Sequence, residues 1–196
     1  MKKSTFFVAA VAVIALAVAS SFGALQLFHD HDDAKRFHAA WKDTFVTPGM
    51  MMQSVDAIVV ARHAGVSPGR VAFSSDPEDA VPFELNHFVV ERGFKGVNAG
   101  TNITIERVGG VADGETVVLD ADGGPYVPGE LYVLFLKRQA ESEYYYVVND
   151  EGRFGLDREQ RLLSVSEGAV ASALQGMSVR ELGARVRSEL AGRKAM

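Results

Sequence analysis

Six consecutive apolar residues, Leu131-Tyr132-Val133-Leu134-Phe135-Leu136, leave this chain few ways to fold. The run is too short for an ordinary helix and lacks the alternation of a half-exposed strand, so it reads as a strand covered on both faces. A strand this apolar would template aggregation at an open sheet edge, which places it inside a sheet. Tyr144 to Val148 follows across a polar turn, Gln139 to Glu143, and reads as its hairpin partner.

The surrounding sequence is also β-patterned. Val55 to Arg62 reads as a first strand, and Ser67 to Pro82, rich in Gly, Ser, Asp and Pro, as a long exposed loop. Phe83 to Arg92 makes a second strand, Gly93 to Gly100 a turn and Asn102 to Val108 a third strand, before a break at Gly109-Gly110. A short piece at Thr116 to Leu119 and two strands near Arg153 to Leu156 and Gln160 to Ser164 complete the set. The end of the chain is helical: Ser178 and Glu181 form an S-x-x-E capping box, Val179, Leu182, Val186 and Leu190 line one face, and Gly192 is the stop. The pattern predicts a mainly β (β+α) fold, a small barrel or sandwich followed by a C-terminal amphipathic helix.

The N-terminus is of a different kind. Lys2 and Lys3 precede an uncharged run from Ser4 to Phe28, which reads as an export signal. Ala17-Val18-Ala19 supplies the small residues of a cleavage site, whereas the whole run, at 1.5 Å per residue, reaches roughly 36 Å and crosses a bilayer core. A signal anchor through residues 4–28 leaves the chain single-pass in the inner (cytoplasmic) membrane. The two lysines hold its N-terminus inside and its C-terminal domain outside the cytoplasm. Cleavage near Ala19 instead gives a periplasmic or secreted protein. Beyond Phe28, the spacing of Ala34, Phe37, Trp41 and Phe45 predicts a short amphipathic helix ended by Pro48-Gly49. The organisation is thus signal peptide or anchor over 1–28, juxtamembrane helix and linker over 29–52, β domain over 53–165 and helical segment over 166–196.

Set in that order, several segments resemble a known family: exported bacterial proteins whose domain is similar to the OB-fold of the tissue inhibitors of metalloproteinases. The residues that carry the resemblance are Ser54 to Ala61 as the opening strand and Phe88-Val89-Val90-Glu91-Arg92-Gly93-Phe94-Lys95-Gly96 as a strand ending in a Lys-Gly turn. With them go Gly129 to Leu136, and Tyr146-Val147-Val148 through Gly152-Arg153-Phe154. The resemblance covers about residues 53–165 and implies a five-stranded OB-like barrel, not an activity. The animal inhibitors insert a cysteine-locked N-terminus into a protease's metal site. This chain has no cysteine and an apolar run in that place, so no site residue carries over.

Composition narrows the function classes further. The absence of cysteine excludes thiol catalysis, disulfide staples and cysteine-based zinc sites. A net charge of −5, from 20 basic and 25 acidic residues, speaks against a nucleic-acid partner, since phosphate neutralisation needs an excess of Lys and Arg. His29, His31 and His38 with Asp30, Asp32 and Asp33 carry metal-capable groups, but helical spacing puts His31 and His38 on one face and His29 elsewhere. His63 continues the parity of Val55, Ala57, Val59 and Ala61 and is expected to be a hydrogen-bonded structural histidine on a strand face. Asp120-Ala121-Asp122-Gly123-Gly124 starts like a calcium loop, yet the twelfth position is Leu131 where a bidentate Glu is needed, so it reads as a turn. Asn102-Ile103-Thr104 matches a glycosylation sequon and reads as strand. Tyr126, Tyr132, Tyr144, Tyr145 and Tyr146 could stack on a ligand or on one another.

No catalytic, cofactor-binding or metal-binding residue is assigned, and no cofactor is expected. The expected function is that of a non-enzymatic, membrane-tethered extracytoplasmic module binding an envelope protein or other extracytoplasmic component. A metalloprotease-inhibitor-like protein and a metal-assisted envelope hydrolase using His29, His31 or His38 are the alternatives.

Overall fold

Residues 35–37, 43–73, 80–112, 115–119 and 123–192 are described by the structure, a computed structural model. The apolar run organises them. It lies in β7 (Leu131–Arg138), which pairs antiparallel with β2 (Ala57–Phe73) over Ala57 to Arg62. On its other side β7 pairs with β8 (Tyr145–Val147) and β9 (Arg153–Leu156). Both edges of the most apolar strand are therefore hydrogen-bonded, as its sequence requires. β2 pairs with β3 (Ala80–Lys95), β3 with β4 (Asn102–Val108), and β9 with β10 (Leu162–Ser164), giving a seven-stranded sheet ordered β10-β9-β7-β2-β3-β4-β8.

Because β8 also pairs with β7, the ladder runs in a ring through β2, β3, β4, β8 and β7. The ring is only partly closed: β4 meets β8 in parallel through the single register pair Ile105↔Tyr145. Four register shifts between β2 and β3 supply the curl, since an extra residue on one strand bends it and sharpens its twist. β5 (Gly110–Ala112) and β6 (Glu115–Leu119) pair antiparallel in a small second sheet, confirming a strand near Thr116.

Alternation sorts the side chains of the central strands into two cores. From β2, Ala57, Val59 and Ala61 enter the ring with Tyr132, Leu134 and Leu136 of β7, Phe88 and Val90 of β3, and Ile103 and Ile105 of β4. Ile58 and Val60, with Val133 and Phe135, face the other way and are covered by helices. Those helices are α1 (Pro48–Ser54), α2 (Ala169–Leu174) and α3 (Val179–Gly192). α3 fulfils its capping box: the Ser178 amide and hydroxyl donate to Glu181 Oε2 at 2.8 and 2.6 Å, and Val179, Leu182 and Val186 are buried.

Three expectations are corrected. Ser67 to Pro82 is not a loop at its described ends, because β2 runs on to Phe73 and β3 begins at Ala80, extending the hairpin. Pro68 is tolerated there because β7 flanks β2 only as far as Arg62, leaving an edge where a missing N–H breaks no ladder bond. Pro48-Gly49 starts a helix rather than ending one: Thr47 is the N-cap, its Oγ1 accepting from the Met50 amide, and Pro48 occupies the first turn, where proline's fixed φ is preorganised. Of the helix expected from Ala34 to Phe45, Lys35–Phe37 is instead a three-residue strand (β1), Asp43 to Phe45 are irregular, and Trp41 lies outside the described residues. Residues 4–28 also lie outside them; no described helix is long and apolar enough to cross a membrane. α2 falls within the helical segment expected over 166–196, but its start carried no local cap signal, since its first-turn amides Val170 and Ala171 are capped by Glu151, distant in sequence.

The Lys-Gly turn has a clear mechanical reason. Lys95 Nζ donates to the carbonyls of Met52 and Gln53 at 3.1 and 3.0 Å and to that of Val55, tying β3 to the C-terminal end of α1. Gly96 follows at φ 71°, where a Cβ would stand 2.0 Å from the Asp56 carbonyl oxygen, so no other residue fits.

Candidate functional site

Where the ring is least closed, a cleft of about 240 Å³ opens. Phe83, Ile105, Val108, Tyr126, Tyr146 and Val147 supply its apolar wall. Polar side chains enter from four directions: Arg70 from the extended hairpin, Glu106 and Arg107 from β4, Gln139 from the end of β7, and Asn149, Asp150 and Arg153 from the stretch after β8. A small, largely apolar concavity with a few converging polar groups is the usual form of a ligand site. Two other indentations among the described residues are wider and more open, one of them bordered by Glu91, Arg92, Glu159, Arg161, Arg180 and Glu181.

The charged side chains of the cleft all have partners, and two of its arginines hold carboxylates. Arg70 crosses the face of Phe83 with its guanidinium carbon 4.0 Å from the ring centroid and donates from Nε and Nη2 to Glu106 at 2.9 and 3.1 Å. Gln139 Nε2 donates to the same carboxylate at 2.6 Å. Three donors thus compensate a side chain only 4% exposed, as a buried carboxylate demands. Arg107 pairs with Glu84 at 2.8 Å, and Asn86 Nδ2 donates to Glu84 at 3.1 Å. Arg153 lies 4.0 Å over Tyr126 and 5.0 Å over Tyr132 and donates to the carbonyls of Gly124 and Pro125. Asp150 accepts from the Ser166 hydroxyl at 2.9 Å.

Asn149 is only half satisfied. Its Nδ2 donates to the Asp43 carbonyl at 3.2 Å, and Asp43 itself pairs with Lys137 at 2.8 Å, fastening the segment before α1 to the sheet. Its Oδ1 is buried with no donor among the described residues.

His63 lies deeper, 2% exposed, with its ring centroid 5.0 Å from Phe88 and 5.6 Å from Tyr126. Strand parity does place it inside, where the Val127 and Gly65 backbone and the Asn86 side chain stand within hydrogen-bonding reach of the ring, although neither nitrogen meets strict hydrogen-bond geometry with a described residue. Burial pushes the imidazole below its ordinary 6.5, against the smaller opposing pull of the Val127 and Gly65 backbone, the Glu84 carboxylate and Asn86.

The remaining sequence candidates separate. Tyr126 and Tyr132 meet edge to face at 5.0 Å inside the ring, only Tyr126 and Tyr146 of the five tyrosines line the cleft, and Tyr145 packs against the interior. Asn102-Ile103-Thr104 is strand, with Ile103 buried and Thr104 Oγ1 3.3 Å from His87 Nδ1. Gly123 and Gly124 turn with positive φ, while Asp120 to Asp122 lie outside the described residues. His29, His31, His38, Asp30, Asp32 and Asp33 lie outside them too, and among the described residues no three His, Asp or Glu side chains converge as metal ligands.

Sequence reasoning did not single out Arg70, Glu106, Gln139 or Asn149, and it met Arg153 only within a strand motif. The one available signal was charge inside β-patterned segments, at Glu106 beside Ile105 and at Arg153 beside Phe154. No protein-family model matches the chain, and no curated protein or solved structure matches it either.

Proposed function

We propose that residues 53–165 form an OB-type barrel that works as a non-enzymatic binding module outside the cytoplasm, held at the membrane through residues 4–28, and that it engages an envelope protein through the cleft. The carrying observation is the position of the cleft. In a five-stranded, partly open OB barrel, ligands meet the face of the second and third strands and the loops joining strands one to two and four to five. Counted around the ring, β3 and β4 are the second and third strands. They supply Phe83, Ile105, Glu106, Arg107 and Val108, while Arg70 comes from the first hairpin and Gln139 from the connection between the fourth and fifth strands.

The pairing of charges supports binding over catalysis. Glu106, in the cleft lining, and Glu84, beside it, are each held by an arginine, whereas a general acid or base must be able to exchange its proton with substrate.

A photoreactive phenylalanine analogue replacing Tyr146 should give a discrete crosslinked adduct in intact envelopes, and one replacing the exposed Leu163 should not. Loss of the adduct when Val108→Arg fills the cleft would tie it to this site; equal adducts from both positions would refute the cleft as the binding surface. Reproducible hydrolytic turnover by the purified chain would overturn the non-enzymatic reading. A soluble mature form beginning at Ser20, seen by intact mass, would overturn the tether.

A further inference from the structure

We infer that the cleft receives one aromatic side chain of a partner protein that also carries a single neutral donor, a tyrosine or a tryptophan. The inference rests on the reading of the cleft as a protein-binding surface and adds the chemistry of what enters it.

Size sets the first limit. At about 240 Å³ the space falls below the roughly 300 to 1,000 Å³ of sites for drug-sized ligands, so it suits a single side chain rather than an extended segment. The walls set the second. Phe83, Tyr126 and Tyr146 offer aromatic surfaces beside Ile105 and Val147, which favour an apolar ring that can stack or pack edge to face.

Charge sets the third. Of the three arginines that line the cleft, Arg70 and Arg107 already hold carboxylates, Glu106 at 2.9 Å and Glu84, just outside the lining, at 2.8 Å. A charged guest bound at either pair would have to displace one partner and leave the buried member, Glu106 or Arg107, with unpaired charge. A neutral guest disturbs neither pair.

The polar contact follows from Asn149. Its Oδ1 is a buried acceptor with no donor among the described residues, in a side chain that lines the cleft and is anchored by its own Nδ2. One acceptor calls for one N–H or O–H, which phenol and indole carry at the edge of a neutral ring. Aromatic residues with a polar tip are also the side chains that most often anchor protein interfaces.

The test uses the full chain in lipid nanodiscs, with methyl NMR signals of Ile105, Val108 and Val147 as reporters. Its probes are p-cresol, toluene, benzoate and glucose. p-Cresol should shift these methyls and bind about tenfold more tightly than toluene, which has the ring and lacks the donor. Asn149→Leu should bring the two probes to equal affinity while toluene still binds. Should that variant fail to fold, Phe83→Arg, at the rim, should abolish both. Equal binding of toluene and p-cresol by the unaltered chain, or tighter binding of benzoate or glucose, would overturn the inference. If no probe moves the methyls yet the Tyr146 adduct still forms, the aromatic guest is refuted and the cleft stands; if the adduct fails, the cleft itself falls.

Discussion

The two faces of β7 are buried against different chemistry. Toward the helices, Val133 and Phe135 pack with Met51, Met52, Ile58, Leu174, Leu182 and Val186, a core of aliphatic, methionine and phenylalanine side chains. Toward the ring, Leu134 and Tyr132 sit in a space that also holds Tyr126, Phe88, His63 and Arg153. Both cores exclude water, so burial alone does not separate them. They differ in what their polar atoms do: the helix side contains almost none, whereas the ring side holds the buried His63 imidazole and opens onto Asn149, whose Oδ1 lacks a donor among the described residues. A core that only holds a fold together can be chemically monotonous, and departures from monotony mark where other work is done.

The sharpest way to break this comparison is to damage the strand both cores share. Leu134→Asp removes a fully buried side chain and inserts an unpaired charge into the ring. The lost packing alone is about 2 to 5 kcal/mol, and the buried charge adds to it, against a typical total stability of about 5 to 15 kcal/mol. Urea denaturation should find this variant unfolded or nearly so. Leu163→Asp, at a 43% exposed position of β10, should move stability by no more than about 0.5 kcal/mol. Similar midpoints for the two would mean that β7 is not the common wall.

A milder change should touch the helix side alone. Ser178→Ala removes the hydroxyl that donates to Glu181 and caps α3, for a loss of about 1 kcal/mol. The methyl spectrum of Ile105 should be unchanged; cleft signals that moved would show that the two cores are not independent.

The smallest effect at neutral pH belongs to His63. Its folded pKa is depressed, so the folded state holds it neutral while the unfolded chain takes up a proton below about 6.5. Its contribution is therefore constant above 6.5, and stability is lost as pH falls from there toward the lower folded value. His63→Leu should leave the stability at pH 8 intact or raised and flatten the curve over that acid window. An unchanged pH profile would show that the imidazole is solvated.

How much of this could be read from residues alone depends on whether the cause was local. Leu131 to Leu136 announces its burial because six apolar positions leave no face for water, and Ser178 with Glu181 announces a helix start because both halves of the cap lie within one turn. The extension of β2 could not be read in this way. Ser67-Pro68-Gly69-Arg70 has turn composition, and only pairing with Pro82 to Leu85 keeps it extended. Thr47-Pro48-Gly49 carried both a stop and a start signal, and it is the burial of Met51 and Met52 that favours the start. The cleft was illegible because Arg70, Glu106, Gln139 and Asn149 are brought together only by the ring.

The single pair joining β4 to β8 bears on how the molecule comes into being. β3 and β4 are neighbours in sequence, as are β7 and β8, and six register pairs reward the docking of β7 on β2. Ile105↔Tyr145 offers the least reward and needs both halves already in place, an order in which it would close last during folding. Ile105→Val should accordingly speed unfolding and leave the folding rate nearly unchanged in stopped-flow measurements, and a slower folding rate would contradict this order. A cleft walled by a contact that closes last would be missing from nascent and half-folded chains, so recognition there would be reserved for finished molecules, a form of quality control that needs no chaperone.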